Sequence, residues 1–152
     1  MVKDIIIGID AGTSIIKAVA FTFNGKEIAT SSIKNIYNTS QNGHATQPLD
    51  TTWKNCIKII LDIKKKIQNL KNRLALISIT GQGDGTWLID KEGNPVCDAW
   101  LWLDARSSGV VKELTNLESE NSRFNATGTA IFAGQQSAQI SYMEKNNPEI
   151  LN

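Results

Sequence analysis

Three short blocks carry residue types able to do chemistry. The first is Asp10-Ala11-Gly12-Thr13-Ser14, preceded by the apolar run Ile5-Ile6-Ile7-Gly8-Ile9 and followed by Lys17. A carboxylate at the end of a buried strand emerges at the sheet edge, where ligands bind in open α/β proteins. Gly12 lets the backbone approach a ligand, and the N–H groups of the turn, with the hydroxyls of Thr13 and Ser14, can surround an anion. Lys17 adds a point charge able to reach the same anion. A carboxylate beside phosphates is repulsive unless Mg²⁺ or its water shell lies between them, which makes Asp10 the candidate metal ligand. The spacing is not that of the Walker phosphate loop, and the turn joins two strands. A capped hairpin turn is the plainer alternative.

The second block is Gly81-Gln82-Gly83-Asp84-Gly85-Thr86-Trp87. Alternating glycines leave the amide of Gln82 and the carboxylate of Asp84 with little steric cover beyond Gly83. A carboxylate suits neighbouring hydroxyls of a polyol, because each hydroxyl can donate to one oxygen. A loose glycine-rich turn with solvated polar groups fits the same residues. The third block is Trp100-Leu101-Trp102-Leu103-Asp104-Ala105-Arg106. Its alternation predicts Trp100 and Trp102 on one strand face, where an indole walls the C–H side of a sugar and offers one N–H. Asp104 and Arg106 then hold each other or a ligand. Core aromatics with a surface ion pair are the alternative here.

The surrounding pattern says what positions these blocks. Ile5–Ile9 reads as a buried strand, Ile15–Phe23 as a second, and Asn24-Gly25 as the tight turn into a third over 26–34. The polar stretch 37–47 reads as an exposed loop. Pro48 and Asp50 open a long helix, with Trp53, Ile57, Ile60, Leu61, Ile67 and Leu70 expected as its buried stripe. Leu74–Thr80 follows as a strand that should run parallel to a neighbour. Thr86 to Asp90, a Lys-Glu-Gly-Asn loop and Pro95 onward suggest a hairpin. Val110, Val111, Leu114 and Leu117 mark a helix, and 136–146 another before Asn147-Pro148.

Composition narrows the remaining classes. With 152 residues, 41% hydrophobic, 20% charged and a net charge of +1, the chain is ordinary for a globular domain and carries no nucleic-acid footprint. Lys64-Lys65-Lys66 reads as a solvated helix face. No apolar run approaches a bilayer span, so no membrane role is expected. Two distant cysteines and one histidine argue against a metal cluster or disulfide framework and suit a reducing cytoplasm.

Taken together and in this order, the blocks resemble the FGGY family of carbohydrate kinases. The resemblance implies an α/β fold of the actin-like ATPase, ribonuclease-H-like type, a mixed β-sheet with flanking helices. It implies ATP and Mg²⁺ as cofactors, with Asp10, Gly12, Thr13, Ser14 and Lys17 at the phosphates and Mg²⁺ on Asp10. It places Gln82, Gly83, Asp84, Trp102, Asp104 and Arg106 at a sugar or polyol. Gln47-Pro48 to Trp53, Phe132-Ala133-Gly134 and Asn147-Pro148-Glu149-Ile150 also resemble family segments. Gly-Gln-Gly-Asp-Gly-Thr-Trp-Leu-Ile-Asp with Trp-Leu-Asp-Ala-Arg is most similar to the erythritol and L-xylulose kinase branch, near xylulose kinases. Two positions depart from family habit: Ile131 stands where glycerol kinases carry tyrosine, and Gln139 where lysine is common.

Family members are longer, two-domain proteins whose catalytic aspartate and adenine pocket lie beyond position 152. Residues 1–152 are therefore expected to form a partial N-terminal domain with no catalytic residue of its own. The whole protein is expected to phosphorylate a sugar or polyol hydroxyl, and a homodimer is among the expectations for it. The acidic turn and the tryptophan-bearing block are expected to converge on one cleft. A non-catalytic sugar-binding module and an unrelated actin-like ATPase fragment are the competing readings.

Overall fold

The computed structural model describes residues 3–116 and 119–151. Among them the order is β1 (Ile5–Ala11), β2 (Ile15–Thr22), β3 (Glu27–Lys34), β4 (Asn38–Thr39), β5 (Ala45–Gln47), α1 (Leu49–Lys66), α2 (Leu70–Arg73), β6 (Leu74–Gly81), β7 (Gly85–Thr86), β8 (Ala99–Leu101), α3 (Ser108–Thr115), α4 (Ser119–Thr127) and α5 (Gln136–Asn146). A 3₁₀ turn over Pro148–Leu151 follows. Two compact units share the chain, Met1–Tyr37 with Asp50–Gln82 and Asn38–Leu49 with Gly83–Asn152.

The first unit is the meander and crossover that the sequence pattern predicts. Its sheet runs β3-β2-β1-β6, with β1–β2 and β2–β3 antiparallel and β1–β6 parallel. Gly25, at φ +81°, supplies the positive φ of the β2–β3 turn and donates its N–H to the Thr22 carbonyl at 2.9 Å. Strand alternation puts Ile5, Ile7, Ile9, Ile16, Ala18 and Ala20 on the face that packs with Ile59 and Ile63 of α1. Each such fully buried isoleucine is worth roughly 1.5–3 kcal/mol. The opposite face carries Gly8, Asp10, Lys17, Val19, Ser78 and Thr80.

The stripe expected on α1 is borne out at Ile60, Ile67 and Leu70, which pack into the core, and corrected at Trp53, Ile57 and Leu61. Thr52, Cys56, Ile59 and Ile63, at spacings of four, three and four, form the side packed on the sheet. Trp53, at 64% exposure, and Ile57 and Leu61 form a second apolar line that remains open. The helix has two candidate apolar stripes, and periodicity alone does not choose between them. It also ends earlier than expected, at Lys66; Asn69, at φ +58°, breaks the path before the short α2.

The second unit contains a feature hidden in the polar stretch 37–47. Instead of a loop throughout, β4 and β5 form there and extend a small antiparallel sheet ordered β4-β5-β8-β7. Residues 37–42 and 44 are exposed as expected, while Ala45 and Gln47 are buried, so the correction falls on β5. The expected hairpin survives as β7–β8 pairing plus an Ile89–Pro95 bridge closed by the Asp90–Asn94 turn. Trp100, Leu101, Val110, Ile131, Ala138 and Met143 are among its buried apolar side chains. The helix expected from Val110 onward is α3; Leu117 lies outside the described residues. Helix α4 was not expected, since it buries no side chain and so leaves no amphipathic trace. Helix α5 spans 136–146 as the pattern predicts.

Candidate functional site

In the first unit the acidic turn sits at the end of the parallel β1–β6 pair. Asp10 is the cross-strand neighbour of Lys17 on β2 and of Thr80 on β6. The three side chains share the open sheet face with Ser78 and line a recess of about 280 Å³ floored by Gly8, Ile9 and Val19. Gly12 is required sterically, because a Cβ there would lie 2.7 Å from the Ile15 carbonyl oxygen. Thr13 Oγ donates to Gln82 Oε1 at 3.2 Å, so the structure brings together members of the first and second blocks.

Sequence reasoning missed the residue that fastens this turn. Asn35, 2% exposed and just beyond β3, donates its backbone N–H to Ser14 O at 2.8 Å and its Nδ2 to Gly12 O at 3.2 Å. Its Oδ1 accepts from Asn55 Nδ2 at 3.4 Å and its amide also meets Thr52 Oγ, tying the turn to α1. An asparagine ending a strand in polar sequence gives no signal that it is buried.

In the second unit Gly83 and Asp84 open a recess of about 370 Å³ whose other walls include Arg123, Thr127, Gln135 and Ser137. None of these four was anticipated; they come from α4 and from the start of α5. Arg123 forks onto Glu120 at 2.8 and 2.6 Å, which holds the Glu120 carboxyl below its usual range and the guanidinium above its own. Gly85 has φ +103°, and a Cβ there would come within 2.5 Å of the Trp100 carbonyl oxygen.

The third block is divided differently from its expected alternation. Strand β8 stops at Leu101, so Trp100 and Trp102 do not share a strand face. Trp100 is buried, tilted against Tyr142 at 5.8 Å between centroids, with the Arg106 guanidinium carbon 3.3 Å from its ring centre. Trp102 lies in the following turn with 47% of its surface exposed. Asp104, 1% exposed, accepts the Ala45 N–H at 2.8 Å, the Arg106 N–H at 3.0 Å, and Arg106 Nε and Nη2 at 2.9 and 2.7 Å. Of the two outcomes left open for this pair, the residues hold each other. Both carboxylate oxygens are engaged, leaving Nη1 of Arg106 as the nitrogen not engaged by Asp104. Nearby Cys97 has its thiol pushed up, first by burial and then by Asp98.

The donor set at Asp10 suits Mg²⁺ held by one carboxylate plus phosphate and water, and not a closed protein cage. No cluster of three or more acidic, histidine or cysteine side chains able to grip a metal occurs among the described residues. No helix among them is long and apolar enough to cross a membrane.

Residues 5–152 match the FGGY family of carbohydrate kinases, N-terminal domain. The chain belongs to that family, and its mixed sheet with flanking helices is the actin-like ATPase fold of FGGY sugar kinases. It is 48% identical over 148 residues to the erythritol kinase of Brucella abortus, covering 97% of this chain and 28% of that protein. The xylulose kinase of Rhodospirillum rubrum superposes with a TM-score of 0.89 at 20% identity, over 96% of this chain and 30% of the other. Plasmodium falciparum glycerol kinase with ADP gives 0.85 at 22% identity, over 99% and 30%. The chain thus spans about three-tenths of the length of these relatives.

Proposed function

We propose that this chain supplies the phosphate-contacting and polyol-contacting residues of an ATP-dependent kinase acting on a hydroxyl of a short polyol, erythritol first among candidates. The observation that carries the reading is the pairing of Asp10 with Lys17 across β1 and β2, beside a turn whose backbone needs glycine at position 12. A cation and an acid at cross-strand neighbouring positions on an open sheet end suit a phosphate chain whose charge is shared with Mg²⁺. The 48% identity to an erythritol kinase supports the substrate class.

In this reading Asp10 would hold Mg²⁺, and Lys17, Thr13 and Ser14 would orient phosphate oxygens. When bound, Mg²⁺ offsets negative charge on the transferring phosphoryl group. Asp84 accepts from adjacent hydroxyls of the polyol, Trp102 covers its C–H side, and Arg106 Nη1 donates to an oxygen. Gln82 acts on the phosphate turn through Thr13, and Asp104 acts through Arg106; both are positioning residues. The base that takes the proton from the attacking hydroxyl, and the adenine pocket, are assigned to sequence beyond residue 152. A reducing cytoplasm suits the two free thiols.

The test is steady-state kinetics with erythritol, glycerol and xylulose in a polypeptide of the relatives' length. Erythritol is the expected preferred acceptor, and Asp10→Asn is expected to lower kcat by about a hundredfold or more, the scale of one charge-stabilising group. Full activity of Asp10→Asn would sink the assignment.

A further inference from the structure

We propose that Gln139 is a positioning residue for Trp102, a role that rests on the reading of Trp102 as the polyol-covering indole. Gln139 lies in the first turn of α5 and is fully buried. Its Nε2 donates to the Leu101 carbonyl at 3.0 Å, the last backbone oxygen before Trp102. Its Oε1 is also buried and has no partner among the described residues. A buried amide oxygen without a donor is costly, and a leucine or methionine would fill the space without that cost. Packing alone therefore does not account for a glutamine here; the bond to Leu101 does.

Two glycines complete the restraint. A Cβ at Gly134 would stand 2.1 Å from the Trp102 carbonyl oxygen, so the backbone before α5 presses directly on that peptide. On the strand side, Gly85 makes the equivalent close approach to Trp100. The backbone of 100–102 is fixed at three points, while the indole it presents stays half open. Such an exposed aromatic covers a ligand with least loss of freedom when its own backbone is already immobile.

The experiment uses the chain labelled with 5-fluorotryptophan, the Trp102 fluorine resonance being assigned with Trp102→Phe. Gln139→Met keeps the volume and removes the donor; Gln139→Lys keeps a donor. The expected result is a shifted or broadened Trp102 resonance in Gln139→Met without ligand, an unchanged Trp53 resonance, and erythritol affinity about tenfold weaker by calorimetry. Gln139→Lys is expected to restore most of both. Gly134→Ala, which displaces the Trp102 carbonyl by another route, is expected to move the same resonance. A Trp102 resonance unmoved in Gln139→Met overturns the role. An unaltered chain that binds no erythritol overturns the reading of Trp102 beneath it, and the role falls with it even if the resonance moves.

Discussion

Thr13 and Gln82, 69 positions apart in sequence, meet through a hydroxyl-to-amide hydrogen bond of 3.2 Å. The contact ties the turn after β1 to the turn after β6, the parallel neighbour, so the two loops at this sheet end are set together. Thr13→Val and Gln82→Met should each cost about 1 kcal/mol, and the double variant less than their sum. Chemical denaturation of the four proteins measures the coupling; strictly additive losses would show that the bond contributes nothing.

Asn35 fastens the same turn from the opposite side. Asn35→Ala removes the donor to Gly12 O and leaves buried partners unmet, with an expected loss of about 1–3 kcal/mol. Asn35→Asp should be worse, since an acceptor then faces the Gly12 carbonyl. Amide exchange at residues 12–14 should quicken in both. Thermal melts matching the unaltered chain would remove Asn35 from this role.

Asp84 and Asp104 should separate cleanly. Asp104→Ala strips a largely covered guanidinium of its partner and the buried Ala45 N–H of its acceptor, a loss of about 3 kcal/mol. Asp84→Ala sits on an open recess and should change stability by less than about 0.5 kcal/mol while weakening polyol binding. Melting curves and calorimetry on both variants decide; equal melting losses would contradict the assignment.

The Asp4–Arg73 fork sets an acid limb. The Arg73 guanidinium, by hydrogen bonding at 2.6 and 3.0 Å, holds the Asp4 carboxyl below its ordinary 3.8. A lowered folded value means the contribution is present above the ordinary carboxylate range and fades as pH falls through the lowered value. Asp4→Asn should therefore lower the melting temperature at neutral pH and bring the two curves together in strong acid. A constant offset down to the lowest pH would contradict the linkage.

Strand β6 is an open edge whose Ile77 and Ile79, the latter 66% exposed, have no cover within the first unit. Open apolar edges pair with other chains. The chain should show concentration-dependent association by sedimentation, and Ile79→Lys should reduce it. A monomer at all concentrations would show that the edge is inert.

Much of the first unit was legible because its signals are local. Asn24-Gly25 gives the hairpin, alternating isoleucines give the buried face, and a helix between strands gives the parallel pair. The second unit was harder. Its strands β4, β5, β7 and β8 are two or three residues long, below the length at which alternation can be seen. That is why 37–47 reads as loop and why the alternation of 100–103 reads as a strand that includes Trp102. Within the candidate site, the reactive types were visible at Asp10, Lys17 and Asp84. The contacts behind the site were not: Asn35 reaches the Gly12 and Ser14 carbonyls, and Gln139 the Leu101 carbonyl, backbone oxygens that only the fold brings near.

The Asp104–Arg106 clamp restricts how this stretch can drift. Two residues apart, the acid and the base satisfy each other, the Ala45 peptide and the Trp100 ring, so a change at one strands the other in the interior. Variants of this segment should survive a selection for folding alone only as paired exchanges, most readily to two apolar side chains that abandon the charge, and with it the Arg106 donor to the polyol. A library randomised at 104 and 106 together would expose that constraint as missing single mutants among recovered doubles.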